Sequence, residues 1–144
     1  MNALGKGQTG VRQALAKLMK SEAQWRAQLT AEQYYITRQN GTERPFTSPY
    51  WNCNEEGLYG CLCCGQGLFR SEAKFDAGTG WPCFHTPIHG TALVTRKDRS
   101  HFRVRTEIRC ANCDAHLGHL FDDGPPPGGL RYSLNGTALV LGKD

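Results

Sequence analysis

Cys61-Leu62-Cys63-Cys64 and Cys110-Ala111-Asn112-Cys113 each place two thiols at C-x-x-C spacing, and residues 65–109 between them hold no other close thiol pair. That spacing sets two thiolates on one tight turn, where both can grip the same tetrahedral ion. Two such turns complete a four-sulfur shell, the usual ligand set of structural zinc. Zinc held by Cys61, Cys64, Cys110 and Cys113 would make metal binding and folding a single equilibrium. The two pairs are further apart than in short zinc ribbons, so the ion is expected to join two hairpins distant in sequence. A chain of 144 residues with 39% hydrophobic content fits one domain whose modest core leans on such a clamp.

Seven cysteines without a secretory apolar stretch in residues 1–20 point to a reducing, cytoplasmic setting, where thiols bind metal or do redox work. Cys53, Cys63 and Cys83 remain after the metal set, an odd number that argues against a secreted disulfide framework. No apolar run approaches the length of a membrane span. Residues 1–20 carry Lys6, Arg12, Lys17 and Lys20 with Val11, Leu15, Leu18 and Met19 at helical spacing. They read as a weakly helical tail before a single domain over residues 21–144. The formal charge of +4 permits acidic partners without requiring them.

Ser21–Leu29 is expected to form a short helix capped by Ser21. Thr30-Ala31-Glu32-Gln33 opens a second with a capping-box pattern, and its Tyr34, Tyr35 and Ile36 are expected to pack on the body. From Gly57 onward short alternating runs predict antiparallel strands. Leu58–Cys61 and Gly67–Arg70 form a hairpin around the first metal turn, with Gly65 relaxing that turn. Thr91–Arg96 and His101–Arg109 form a second, with Phe102, Val104, Thr106 and Ile108 facing inward at a period of two. His116–Phe121, Arg131–Leu134 and Thr137–Leu141 follow. Asp122–Gly129, with three consecutive prolines, reads as a stiff extended connector. The sum is a mainly β, antiparallel fold with an N-terminal helical pair.

Three segments are unusual for a purely structural domain. Gly78-Thr79-Gly80-Trp81-Pro82-Cys83-Phe84 sets a large aromatic in a glycine and proline loop. His116-Leu117-Gly118-His119 places two imidazoles just past the second metal pair, and Arg131-Tyr132-Ser133-Leu134-Asn135 follows the prolines. Taken with Gly41-Thr42-Glu43-Arg44-Pro45-Phe46, Gly57-Leu58-Tyr59 and Lys74-Phe75-Asp76-Ala77, and with the run Cys113–Phe121, they resemble the methionine-R-sulfoxide reductase B family. The likeness extends from about Trp25 to Leu141, with the motifs in the family's order.

That resemblance implies thiol-dependent reduction of methionine-R-sulfoxide, free or in proteins, as oxidative-stress repair. One position departs from it. The family's motif reads Arg-Tyr-Cys-x-Asn, with the cysteine as nucleophile, and here the position is Ser133. A serine hydroxyl is barely ionised near neutral pH and cannot become a sulfenic acid, the product a thiolate forms on taking the sulfoxide oxygen. The simplest account is a deliberate Cys→Ser exchange that keeps substrate binding, ahead of a naturally inactive relative. By the same resemblance, His116 and His119 would hydrogen-bond and protonate the sulfoxide oxygen. Asn135 would orient them, and Trp81 would offer its ring to the substrate S-methyl group. Arg131 and the histidines would surround the nucleophile with positive charge. Zinc would be structural. A resolving cysteine would close a disulfide for thioredoxin to reduce. The family's frequent position for it is Thr79 here, leaving Cys53, on a surface loop, ahead of Cys83. A monomer is expected.

Two rival readings need naming. A zinc-clamped module could bind a sulfoxide without turnover, or bind nucleic acid through Arg96, Lys97, Arg99, Arg103, Arg105 and Arg109. No aromatics interleave those cations, so a solvated strand face is the simpler reading. A serine hydrolase would need a strained G-x-S-x-G elbow, which is missing, and an acid partner, which the sequence does not make obvious.

Overall fold

The computed structural model describes residues 19–100 and 102–142. The expected tail lies outside the described residues up to residue 18. Helix α1 spans Glu22–Gln28 and α2 spans Ala31–Arg38. Each begins with a complete capping box: Ser21 and Gln24 exchange hydrogen bonds of 3.1 and 2.8 Å, and Thr30 and Gln33 do the same at 3.1 and 2.9 Å. Four otherwise unpaired N–H groups are thereby satisfied locally, worth about 1 kcal/mol per cap. Tyr34 and Ile36 are buried as expected, but Tyr35 is 51% exposed. Three successive residues of a helix cannot share one face, and the Tyr35 ring turns out to lie across Gly41.

Nine strands follow among the described residues: β1 (Leu58–Cys61), β2 (Gly67–Arg70), β3 (Lys74–Phe75), β4 (Cys83–Phe84), β5 (Leu93–Asp98), β6 (Arg105–Cys110), β7 (His116–Phe121), β8 (Arg131–Leu134) and β9 (Leu139–Gly142). They make a three-stranded sheet in the order β2-β1-β9 and a six-stranded sheet in the order β3-β4-β8-β7-β6-β5. Every pairing is antiparallel. The core gathers Tyr59, Leu68 and Phe69 with Phe84, Ile108 and Leu134. Phe69 stacks on Phe84 at 4.4 Å, and Tyr59 meets the edge of the same ring at 5.2 Å. Each fully buried aromatic of this kind contributes about 1.5–3 kcal/mol by burial. No helix among the described residues is long and apolar enough to cross a membrane.

Three local expectations fail. The β5–β6 hairpin begins its return strand only at Arg105, so Phe102 and Val104 lie in the loop and are exposed rather than inward. Ile108 does face the core. The opposite face of β6 is equally enclosed, because Glu107 and Arg109 are buried as well. Residues 122–129 do not form an extended spacer. Gly129 donates to Pro125 O at 2.9 Å and Gly124 to Gly129 O at 3.0 Å, so the segment folds back as a turn. Gly129 at φ +74° supplies the left-handed residue that this reversal needs.

Candidate active site and metal centre

The two C-x-x-C segments form the turns of the β1–β2 and β6–β7 hairpins, and they are built alike. Gly65 and Asp114 follow the second cysteine of each, at φ +82° and +66°. Their N–H groups donate back to Cys61 O at 2.8 Å and Cys110 O at 2.9 Å. The first cysteine of each pair donates to a carbonyl five residues on, Gln66 O and Ala115 O, at 2.9 Å in both cases. All four Sγ atoms of Cys61, Cys64, Cys110 and Cys113 lie within 4.8 Å of one another, with Cys61–Cys113 at 3.6 Å and Cys64–Cys110 at 3.7 Å. A tetrahedral ion with sulfur bonds of about 2.3 Å needs edges of roughly 3.8 Å, so the donor set fits a metal ion. Arg38 reaches Cys113 Sγ at 3.8 Å and Gln66 reaches Cys110 Sγ at 3.7 Å, N–H donors that offset thiolate charge. Cys63 is buried beside the cluster but does not belong to the set.

This clamp closes the β6–β7 hairpin and thereby sets its register. Beyond the turn Arg109 faces His116, yet Ile108 faces Gly118, so β7 carries Leu117 as one extra residue. The bulge has a direct consequence. Residues three apart on a regular strand point to opposite faces. Here His116 and His119 share one, with ring centroids 5.5 Å apart.

Strand pairing then aligns a row across the larger sheet. Cys83 faces Ser133, Ser133 faces His119, His119 faces Glu107, and Glu107 faces Arg96. Directly opposed residues share a face. β7 approaches β8 closely because residue 118 has no side chain: a Cβ there would lie 2.0 Å from Ser133 O. Ser133 is half-buried and opens onto a cavity of about 200 Å³ walled by Trp81, His119, Arg131, Phe121, Arg105 and Thr42. The resemblance-derived residues Ser133, His119, Trp81, Arg131 and Asn135 are thus brought together. His116 is not on this wall. It lines an adjoining cavity of about 650 Å³, and His119, Thr42 and Arg105 border both.

Each polar member has a defined partner. Trp81 Nε1–H donates to Glu43 O at 3.1 Å, which fixes the indole at the cavity edge. Arg131 grips Asp123 through two bonds of 2.7 and 3.1 Å and stacks over Phe121 at 4.3 Å. Asn135 hydrogen-bonds neither imidazole among the described residues. Its amide donates to Leu117 O at 3.3 Å and Gly41 O at 3.4 Å, and its oxygen accepts from Glu43 N–H at 3.0 Å. It therefore pins the bulge to the 41–43 segment. The buried Glu43 carboxylate caps the following turn, accepting from Gly136 N–H, Thr137 N–H and the Thr137 hydroxyl at 2.6–2.8 Å.

Both imidazoles carry carboxylate partners, acids that the sequence did not make obvious. His116 Nδ1 pairs with Glu107 at 2.5 Å, and His119 Nε2 pairs with Asp98 at 2.9 Å. Burial pushes the Glu107 carboxyl up, but Arg96, His116 and Arg109 together outweigh it and hold the group below its ordinary range. Asp98 is held lower still by the Ser100 hydroxyl and then by His119. Burial makes both rings harder to protonate than a free imidazole, against the pull of their carboxylates. Among the described residues no group hydrogen-bonds the Ser133 hydroxyl, so the acid–imidazole pairs do not complete a hydrolase triad.

Glu107, Asp98, Glu43 and Asp123 were not singled out from sequence. Glu107 carried a signal, as the one acid in an otherwise basic return strand. Three of the six cations of the basic stripe are taken up in ion pairs. Arg109 is buried on Glu107 and Asp114, Arg96 bonds Glu107 at 2.6 Å, and Arg105 bonds Asp98 at 3.3 Å. The leftover thiols separate. Cys83 is buried beside Ser133 on the neighbouring strand, its Sγ 3.5 Å from Trp81 O. Cys53 is half-buried in another depression with Trp51, Lys74 and Asp76.

Comparison with known proteins converges on one lineage. The SelR domain profile matches residues 29–143. A peptide methionine sulfoxide reductase MsrB of Agrobacterium fabrum is 59% identical over 125 residues, covering 87% of this chain and 93% of the relative. Proteins of the same description from a Synechococcus species and from Acinetobacter baylyi are 57% and 53% identical, covering 83% and 90% of this chain and 88% and 94% of theirs. With the antiparallel sheets and the four-cysteine cluster already described, these matches establish that the chain belongs to the SelR family, that of the MsrB methionine sulfoxide reductases.

Proposed function

We propose that this chain is a methionine-R-sulfoxide reductase domain that binds its substrate in the Ser133 cavity and, with serine at the nucleophile position, does not reduce it. The observation that carries the reading is the convergence of Ser133, His119 and Trp81 on one small cavity from three separate segments. The sulfoxide oxygen would face His119, and the S-methyl group would lie against the indole, a favourable contact for sulfur and a ring. Reduction balances as thiolate plus sulfoxide plus one proton giving sulfenic acid plus thioether. Cysteine at position 133 supplies the thiolate and takes the oxygen. Serine supplies neither.

For the completed cycle the geometry favours Cys83 over Cys53 as resolving thiol. Leu134 N–H donates to Pro82 O at 3.0 Å, so Cys83 and residue 133 form a non-hydrogen-bonded cross-strand pair. Such pairs have Cα atoms about 4.5 Å apart, inside the range of roughly 4.4–6.8 Å that a disulfide spans. A cysteine sulfenic acid at 133 and the Cys83 thiol would give a disulfide and water, with thioredoxin as the reductant. Zinc is the ion proposed for the cysteine clamp, in a structural role, since four thiolates leave no open position. The ion-paired arginines of β5 and β6 favour this reading over a phosphate-binding one.

Ser133→Cys tests the reading. The variant should reduce methionine-R-sulfoxide with a thiol reductant, a gain on the order of a thousandfold or more over the parent chain. The parent should bind the sulfoxide without releasing methionine. A folded, metal-loaded Ser133→Cys protein without turnover would refute the proposal.

A further inference from the structure

His116 and His119 face one another, but their surroundings differ in a way the reductase reading does not use. His116 is 2% exposed, and its Nδ1 is committed to Glu107, itself 4% exposed and held by Arg96 and Arg109 at 2.6 Å each. The other nitrogen of His116, Nε2, is buried with no protein partner in the described structure. Buried polar atoms almost always bond something, so an unpartnered nitrogen beside a cavity marks where a ligand group or a bridging water is received. His119 is bound the other way round. Its Nε2 is committed to Asp98, which also accepts from the Ser100 N–H and hydroxyl and from Arg105. That leaves Nδ1 outside the Asp98 pair, on a ring that borders both the Ser133 cavity and the chamber containing His116.

We infer that Asp98 and Glu107 are positioning residues that hold the two imidazoles in opposite tautomers, so that His119 presents Nδ1 and His116 presents Nε2 to a ligand, His119 as the ring that protonates the sulfoxide and His116 as the one that accepts. A carboxylate partnered to one ring nitrogen takes its hydrogen and fixes which nitrogen is left for the ligand. Glu107 keeps hydrogen on Nδ1 of His116, so Nε2 offers a lone pair to a hydroxyl or water in the larger cavity. Asp98 keeps hydrogen on Nε2 of His119. In its cationic form that ring then carries its second proton on Nδ1, aimed at the position of the sulfoxide oxygen. Asp98 and Arg105 beside the ring, and Glu107 and His116 across the face, are the charged and titratable groups that set when it does so. The division of labour rests on the reductase reading; the tautomers do not.

The tautomers can be read on the chain as it stands, from long-range proton–nitrogen spectra of ¹⁵N-labelled protein at neutral pH. His116 should appear protonated on Nδ1 and His119 on Nε2. Both rings in one tautomer, or either ring averaging between the two, overturns the inference. In a Ser133→Cys background, Asp98→Asn should lower kcat roughly tenfold to a hundredfold with KM little changed. It should also shift the pH dependence of kcat, and Asp98→Glu should restore part of the loss. Glu107→Gln should abolish the His116 pattern while leaving that of His119. Rates, pH profile and spectra unchanged in both carboxylate variants would sink the idea. An inactive Ser133→Cys protein would instead count against the reductase reading, with the imidazole spectra still deciding this one.

Discussion

The four-cysteine clamp and the Ser133 cavity both build on the β6–β7 hairpin, and they are assembled by different physics. Each half of the clamp is local: two thiols, a left-handed residue and two short backbone bonds within six residues, repeated almost bond for bond in the other half. The cavity is non-local. Ser133, His119, Glu107 and Arg96 meet only because three strand pairings fall in one register. Its polar groups are then tied by contacts reaching up to 94 residues along the chain, such as Glu43 to Thr137. A spacing rule can therefore find the first, while only the assembled sheet shows the second. The two are also coupled, since the turn that carries Cys110 and Cys113 sets the pairing of Arg109 with His116.

The coupling is most directly broken at the four cysteines. Chelation, or Cys113→Ser, should unfold the domain rather than merely loosen the turn, because the binding free energy of a structural four-ligand site is on the order of 10 kcal/mol. Circular dichroism with metal titration would check this. A protein that keeps its fold and sulfoxide binding without metal would show that the cavity does not depend on the clamp.

A sharper cut leaves the clamp intact. Gly118→Ala puts a methyl group against Ser133 O and should push β7 from β8. The expected loss is about 1–3 kcal/mol in denaturant unfolding, accompanied by loss of sulfoxide binding. Equal binding by the alanine variant would mean that the close strand approach is not what places His119.

The smallest effect is a matter of pH. The Glu107 carboxyl is depressed from its unfolded value of 4.5, and the His116 ring from 6.5. The unfolded chain therefore binds more protons than the folded one. The His116 contribution is present above pH 6.5 and fades as pH falls below it. The Glu107 contribution is present above 4.5 and fades as pH falls through its folded value. Stability should decline toward acid in two stages, and Glu107→Gln should flatten the lower one. A single stage insensitive to that variant would remove the buried carboxylate from the account.

What was legible in the sequence follows the same division. The Ser21 cap, the capping box at Thr30, the β1–β2 hairpin to the residue and the four clustered thiols were readable, because each is decided by neighbours a few positions away. The exposure of Phe102 and Val104 was not, since alternation says nothing about where a strand begins. The fate of Arg109 was missed for a related reason. A charged side chain on a strand face looks solvated until another segment, here the one carrying Asn40, is known to cover it. The proline-rich connector misled because the glycines at its end override the stiffness of what precedes them.

Leu117 gives β7 an odd frame. A one-residue deletion there would keep the sulfur ligands, the hairpin and the composition, yet exchange inside for outside along one side of the strand. The imidazole of His119 would turn into the hydrocarbon interior. Parity, more than any single side chain, decides which surface of this sheet can do chemistry, so a relative that lacks the extra residue would keep the architecture and lose the pocket.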